Sequence, residues 1–256
     1  MTWQFYKMNS NLRIVLFAHP RSGSTSLYEI LQRHPELNIL EEPFNENFTR
    51  WNPSNKNYRE LIHDIPSFDR QLAEIFATYN GIKVLDYQLP DELAIHLLQR
   101  PDCKIIFLRR SNLLQSIVSV LIAKQTQLWK KWEMIKPLED YYRELLPLDV
   151  HDVQRRVQAL KQQLDFFESV LDALPEGKAI KLTYEGLYFT HLSKRETQLA
   201  AVWDFLGVEP LELERIQYYL LPETAKINSK ATYALLPNAL EIQHRCGNDV
   251  TGWLYE

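Results

Sequence analysis

The stretch Pro20-Arg21-Ser22-Gly23-Ser24-Thr25-Ser26 places an arginine, a glycine and four hydroxyl side chains between an apolar run and a helical pattern. Residues of these types bind anions. Gly23 lets backbone N–H groups come close to a ligand, Ser22, Ser24, Thr25 and Ser26 bring hydroxyl donors, and Arg21 brings a planar, permanent cation. The competing use is that serine or threonine simply caps the next helix. A Walker A loop requires GxxxxGK[ST], but Ala18 stands where its first glycine belongs and Ser24 where its lysine belongs, so this is not a standard ATP loop.

Such a turn has to sit after a strand and before a helix. Residues 12–18 (LRIVLFA) are short and nearly all apolar, as in a strand buried on both faces, whereas 24–34 carry Leu27, Ile30 and Leu31 at helical spacing. Similar apolar runs at 82–85, 104–108 and 179–182 alternate with helical patterns at 68–79, 90–98, 112–129, 151–174 and 195–206. The longest helix shows one stripe, Val153, Val157, Leu160, Leu164, Phe167 and Leu171, of the kind that packs on a core. Alternation of this sort predicts an α/β fold with a central, mostly parallel sheet, covered on both sides. Ligands in such sheets bind at the carboxyl ends of strands, where 19–25 falls. Residues 46–67 read as a long surface excursion.

Composition narrows the function further. A chain of 256 residues with formal net charge −4 and no block of lysines and arginines argues against nucleic acid or an anionic membrane as the main partner, so an anion site must be local. Cys103 and Cys246 show no metal-ligand spacing, which implies a reducing compartment and no structural metal. No signal-peptide layout and no apolar run of the ~20 residues needed to cross a bilayer is present, and a cytoplasmic protein with a single domain over 1–256 is expected.

The turn at 20–25 resembles the 5′-phosphosulfate loop of the sulfotransferases that use 3′-phosphoadenylyl sulfate (PAPS), in the form with arginine in place of lysine. Three further stretches extend the resemblance. KIIFLRRSNLLQSIVSVLIAKQTQLW (104–129) is similar to the strand and helix that bind the 3′-phosphate through an arginine and a serine eight residues later. Here Arg110 precedes Ser119 by nine, which implies a one-residue insertion at the turn, with Arg109 as the alternative. Ala123, Gln125, Thr126 and Trp129 resemble the bacterial Nod-factor and mycobacterial trehalose sulfotransferases. In HPELNILEEPFNENF (34–48), Glu42 lies eight residues after His34, and Asn45 follows, as in those relatives. The resemblance assigns Glu42 as general base toward the acceptor hydroxyl, with Glu41 competing. IKLTYEGLYF (180–189) is similar to a stretch in which Tyr184, Glu185 and Leu187 are architectural, and 223–238 to a closing loop with Lys226, Ser229 and Lys230 as candidates. Lys83, in a Gly-x-Lys match, is either a solvated strand-end residue or a substrate contact.

The resemblance implies a P-loop-like three-layer α/β/α fold and an enzyme that moves a sulfuryl group from PAPS to a hydroxyl, leaving 3′,5′-adenosine bisphosphate. It implies a carbohydrate, glycolipid or secondary-metabolite acceptor and no metal. The donor would be held by Arg21, Ser22, Gly23, Ser24, Thr25, Ser26, Arg110, Ser119 and Lys230, with Arg21 and Glu42 catalytic. A nucleotide or small-molecule kinase, or a non-catalytic nucleotide-binding module, are the other classes such a chain allows. Neither the acceptor's identity nor the oligomeric state is written in the sequence.

Overall fold

The computed structural model describes residues 12–46, 57–129, 133–221 and 230–255. The chain divides into two compact units, Met1–Arg109 with Phe167–Leu220, and Arg110–Phe166 with Leu221–Glu256.

The first unit is built on a five-stranded sheet of β1 (Ile14–Ala18), β2 (Ile39–Glu41), β3 (Gly81–Leu85), β4 (Lys104–Arg109) and β5 (Ala179–Thr183), in the order β2-β3-β1-β4-β5 with every pairing parallel. Central β1 is buried along its whole length, which is why it reads as an unbroken apolar run. Its alternate residues nevertheless serve two faces. Ile14, Leu16 and Ala18 join a core with Leu27, Ile30 and Leu31 of α1 (Ser24–Gln32) and Leu199, Val202 and Trp203 of the later helix Leu192–Leu206. Phe17 points the other way, edge-on to Phe167 at 4.9 Å and stacked with Phe107 at 6.2 Å between ring centroids. Helices on both faces of a parallel sheet are the α/β/α arrangement expected from the alternating pattern.

Strand β2 escapes the periodicity because it is three residues long, and its start is tied by side chains: Asn38 N donates to Asn80 Oδ1 at 2.7 Å and Asn80 N to Asn38 O at 3.0 Å. Helix α2 (Ile65–Phe76) starts three residues before the expected position. Asp64 caps it, accepting from Ser67 N at 2.8 Å while Ser67 Oγ accepts from Asp64 N at 3.0 Å, a reciprocal capping box that extends the apolar pattern toward its N-terminus. The excursion at 46–67 thus ends in a short 3-10 turn, Arg59–Leu61, and the first turn of α2; residues 47–56 lie outside those described. Helix α3 (Asp91–Leu98) follows Pro90, as expected.

The second unit contains α4 (Leu113–Thr126), α5 (Leu138–Tyr142) and α6 (Val150–Asp172) as far as Phe166, with two later helices, Lys230–Tyr233 and Ala239–Cys246. Asn112 organises the start of α4: its Oδ1 accepts from Gln115 N at 2.9 Å and its Nδ2 donates to Trp253 O at 2.8 Å. Gln115 Nε2 adds a 3.1 Å bond to Leu254 O. One side chain thus satisfies both a helix N-terminus and the C-terminal turn.

Replacing Phe167 by alanine removes the edge contact to Phe17 at a fully buried position, and is expected to lower unfolding stability by about 3–5 kcal/mol. Urea unfolding checks this; a loss below about 1 kcal/mol would show that Phe17 is held by the sheet alone.

Candidate functional site

The turn after β1 leads into α1 without the serine or threonine cap that its sequence allows. Gly23, not a serine, is the N-cap of α1, with no side-chain cap, so the first-turn N–H groups have no side-chain acceptor. Arg21 and Gly23 both lie in the left-handed region, φ 65° and 83°. Gly23 is obligatory there on two counts. A Cβ at this position would lie 2.6 Å from Tyr188 Cε2 and 2.8 Å from Tyr184 Cδ2, and Tyr188 OH donates to Gly23 O at 3.0 Å. Burial, with Tyr184 adding to it, pushes the Tyr188 phenol up, so it remains a donor. Tyr184, expected to be architectural, therefore packs on the turn together with Tyr188 of the short helix Tyr184–Tyr188. Ser22 is fully buried and its hydroxyl has no protein hydrogen-bond partner among the described residues. A buried hydroxyl left in this state is a place for a ligand or water.

The carboxylates lie two strands away. Glu41 ends β2 and Glu42 follows it with φ 50°. Among the described residues only Arg21, Glu42 and Gln127 are non-glycine residues at positive φ, and Gln127 merely ends α4. Strained backbone of this kind costs about 1–3 kcal/mol and concentrates at functional positions, and it falls here on two residues chosen for their chemistry. Glu42 Oε2 accepts from Asn45 Nδ2 at 2.8 Å and from Gln88 Nε2 at 2.9 Å, and Gln88 Oε1 in turn accepts from Leu85 N at 3.1 Å. Gln88 carried no signal in the sequence; Asn45 did.

Lys83 is not a solvated edge residue. It is the middle residue of β3, in register with Leu16 of β1 and Glu41 of β2, so these three side chains leave the sheet on the face covered by α1. Its side chain is 1% exposed, and its ammonium meets Glu41 Oε1 at 2.8 Å, Glu42 Oε1 at 2.9 Å and Thr25 Oγ1 at 3.0 Å. Burial works to lower its pKa, but Glu42 and Glu41 outweigh burial and hold it above the ordinary lysine value, so the charge is retained.

A further pair was not anticipated. His19, directly after β1, places Nδ1 2.7 Å from Asp86 Oδ2, directly after β3, while His19 Nε2 and Asp86 Oδ1 are buried without protein partners among the described residues. The signal was the adjacency of two strand ends, which becomes visible only once β1 and β3 are known to pair. Of the two strand-end arginines, Arg109 forms an ion pair with Glu168 at 3.1 Å, whereas Arg110 is buried and donates to Gln115 Oε1. Ser119 is buried on α4 in the same unit as Arg110. Lys230 opens a short helix, its side chain outside what is described, and Lys226 and Ser229 lie outside the described residues. Both cysteines are buried, and burial pushes the Cys103 thiol up to about 11, away from reactivity. Among the described residues no group of three potential ligands could hold a metal ion, and no helix is long and apolar enough to cross a membrane.

No family model matches the chain. Among curated proteins it is similar to two called nodulation protein H: that of Rhizobium tropici, 29% identical over 75% of this chain and 74% of the relative, and that of Rhizobium meliloti, 26% identical over 77% and 78%. A solved sulfotransferase domain from the curacin biosynthetic pathway superposes with TM-score 0.48 at 19% identity, covering 79% of this chain and 76% of that one.

Gly23→Ala drives a methyl into Tyr188 and Tyr184 and forces alanine into the left-handed region, which alone costs roughly 1–2 kcal/mol. The variant is expected to be less stable by at least that amount in thermal unfolding; an unchanged melting temperature would mean that the tyrosines do not hold the turn.

Proposed function

We infer that this sulfotransferase-family chain, a relative of nodulation protein H, moves a sulfuryl group from PAPS to a hydroxyl on a carbohydrate, glycolipid or secondary-metabolite acceptor. The observation that carries the reading is the turn at 21–25: an uncapped helix N-terminus, two residues at positive φ and a buried serine hydroxyl without a protein partner, at the carboxyl end of a central parallel strand. The same donors would suit another phosphate, but Ser24 stands where a nucleoside-triphosphate loop needs lysine.

In the proposed reaction the acceptor oxygen attacks sulfur in line with the leaving 5′-phosphate. The new O–S bond forms as the S–O bond to phosphate breaks, and its electron pair stays on the phosphate. Arg21 and the N–H groups of the turn stabilise that charge, and Ser22, Ser24, Thr25 and Ser26 orient the group that carries it. Glu42 takes the hydroxyl proton, steadied by Asn45, Gln88 and Lys83. Arg110 with Ser119 is the proposed pair for the 3′-phosphate, on the resemblance of 104–129 to the strand and helix that bind it. Lys230 keeps its place as a closing residue on resemblance alone.

Three measurements test these assignments. Titration calorimetry is expected to show binding of 3′,5′-adenosine bisphosphate and none of ATP with magnesium; the opposite result would replace the sulfotransferase by a kinase. Glu42→Gln should lower kcat by about 10²–10⁴-fold with bisphosphate affinity unchanged, and an equal loss of both would make Glu42 structural. Arg110→Ala should weaken the bisphosphate by about 10–100-fold while Arg109→Ala leaves it within about twofold; the reverse pattern would move the 3′-phosphate to Arg109.

A further inference from the structure

Lys83 has an ammonium with three hydrogens and three acceptors around it, none farther than 3.0 Å. Two belong to the carboxylates of Glu41, which ends β2, and Glu42, which follows it, and the third is Thr25 Oγ1 in the first turn of α1. The cluster sets two carboxylates against one ammonium, so Lys83 cannot be surplus charge; removing it would leave two glutamates facing each other with little water.

Thr25 completes the geometry. A threonine hydroxyl has one hydrogen to give, and a helical threonine commonly returns it to a carbonyl one turn back. Here Oγ1 accepts from Lys83, and no other hydrogen bond of this hydroxyl exists among the described residues. With its lone pair facing the ammonium, the hydroxyl is polarised as a donor, and its hydrogen is available to an anion in the turn.

We propose that Lys83 is a positioning residue that couples the two halves of the site, fixing Thr25 as a hydrogen-bond donor to the phosphosulfate and Glu42 at the acceptor hydroxyl. The proposal rests on the sulfotransferase reading, and Lys83 itself touches neither substrate. It acts from behind, through Thr25 on one side and through Glu42 on the other.

The test is a double-mutant cycle on the full chain, read by calorimetry with 3′,5′-adenosine bisphosphate and by steady-state kinetics. Lys83→Met and Thr25→Val should each weaken the bisphosphate by about tenfold, roughly the effect of one hydrogen bond to a charged group. The double variant should bind no worse than Thr25→Val, since both changes remove the same interaction, and Thr25→Ser should retain wild-type affinity. Lys83→Met should also lower kcat by about a hundredfold with the acceptor KM within about threefold, the signature of a misplaced base. Should Lys83→Met fail to fold, Lys83→Met/Glu41→Gln keeps the net charge of the cluster and is expected to show the same tenfold loss. A folded lysine variant with wild-type bisphosphate affinity, or additive losses in the double variant, overturns the coupling while leaving the sulfotransferase reading intact. A wild-type chain that does not bind the bisphosphate removes both.

Discussion

A lysine placed in the middle of a buried strand must find acceptors for all three of its hydrogens or give up its charge, because transfer of an ion out of water costs several kcal/mol even after relaxation. Lys83 finds them in Glu41, Glu42 and Thr25, and each of these lies on a different piece of local structure: a strand end, the residue after it, and the opening turn of a helix. The constraint runs in both directions. The sheet register brings the lysine to the α1 face, and the ammonium then dictates where the end of β2 and the start of α1 must sit. Gln88 and Asn45 close the same network from the loops after β3 and β2, so that the Glu42 carboxylate is held by three residues at once. A carboxylate fixed in this way does not have to be reorganised when charge moves near it, which is the physical content of a preorganised site.

The turn after β1 is held by a different force. Its strained residues persist only because the surroundings over-determine them, and at Gly23 the surroundings are two tyrosine rings packed so closely that no side chain fits. Tyr188 adds a hydrogen bond to the Gly23 carbonyl, which ties down the backbone at the start of α1. Aromatic packing and a buried ion cluster thus support the two ends of one short segment, Gly23 from one side and Thr25 from the other.

Much of this was legible before any coordinates. A short apolar run such as LRIVLFA reads as a buried strand, and the four runs of this kind, alternating with helical patterns, imply their own parallel sheet. What the sequence could not disclose depends on parity and pairing. Arg109 and Arg110 are neighbours in sequence yet enter opposite environments, one ion-paired with Glu168 and one buried beside Gln115, because successive residues at a strand end diverge. Lys83 could not be recognised as buried until Leu16 and Glu41 were known to share its row. His19 and Asp86 meet for the same reason, and β2, with three residues, is too short to announce itself. The competing reading of a serine cap is absent on a subtler point: a glycine in the left-handed region can start a helix without any side-chain acceptor, and doing so keeps the N–H groups available.

The sheet order explains how residues so far apart in sequence come to one edge. Strands β2, β3 and β1 are consecutive neighbours, and each ends in a polar group: Glu42 after β2, Asp86 after β3, and His19 with the turn to Thr25 after β1. All three ends point the same way because the strands are parallel, which is why ligands in such folds gather at the carboxyl edge. The polarity along that edge is graded. The end of β1 is rich in hydrogen-bond donors, suited to an anion, while the ends of β2 and β3 are rich in acceptors, suited to the hydrogens of hydroxyl groups. On the reading proposed above, a group passing from a phosphate over β1 to a hydroxyl over β2 must cross β3, and the side chain standing beneath that crossing is Lys83, which touches Thr25 on one side and Glu42 on the other.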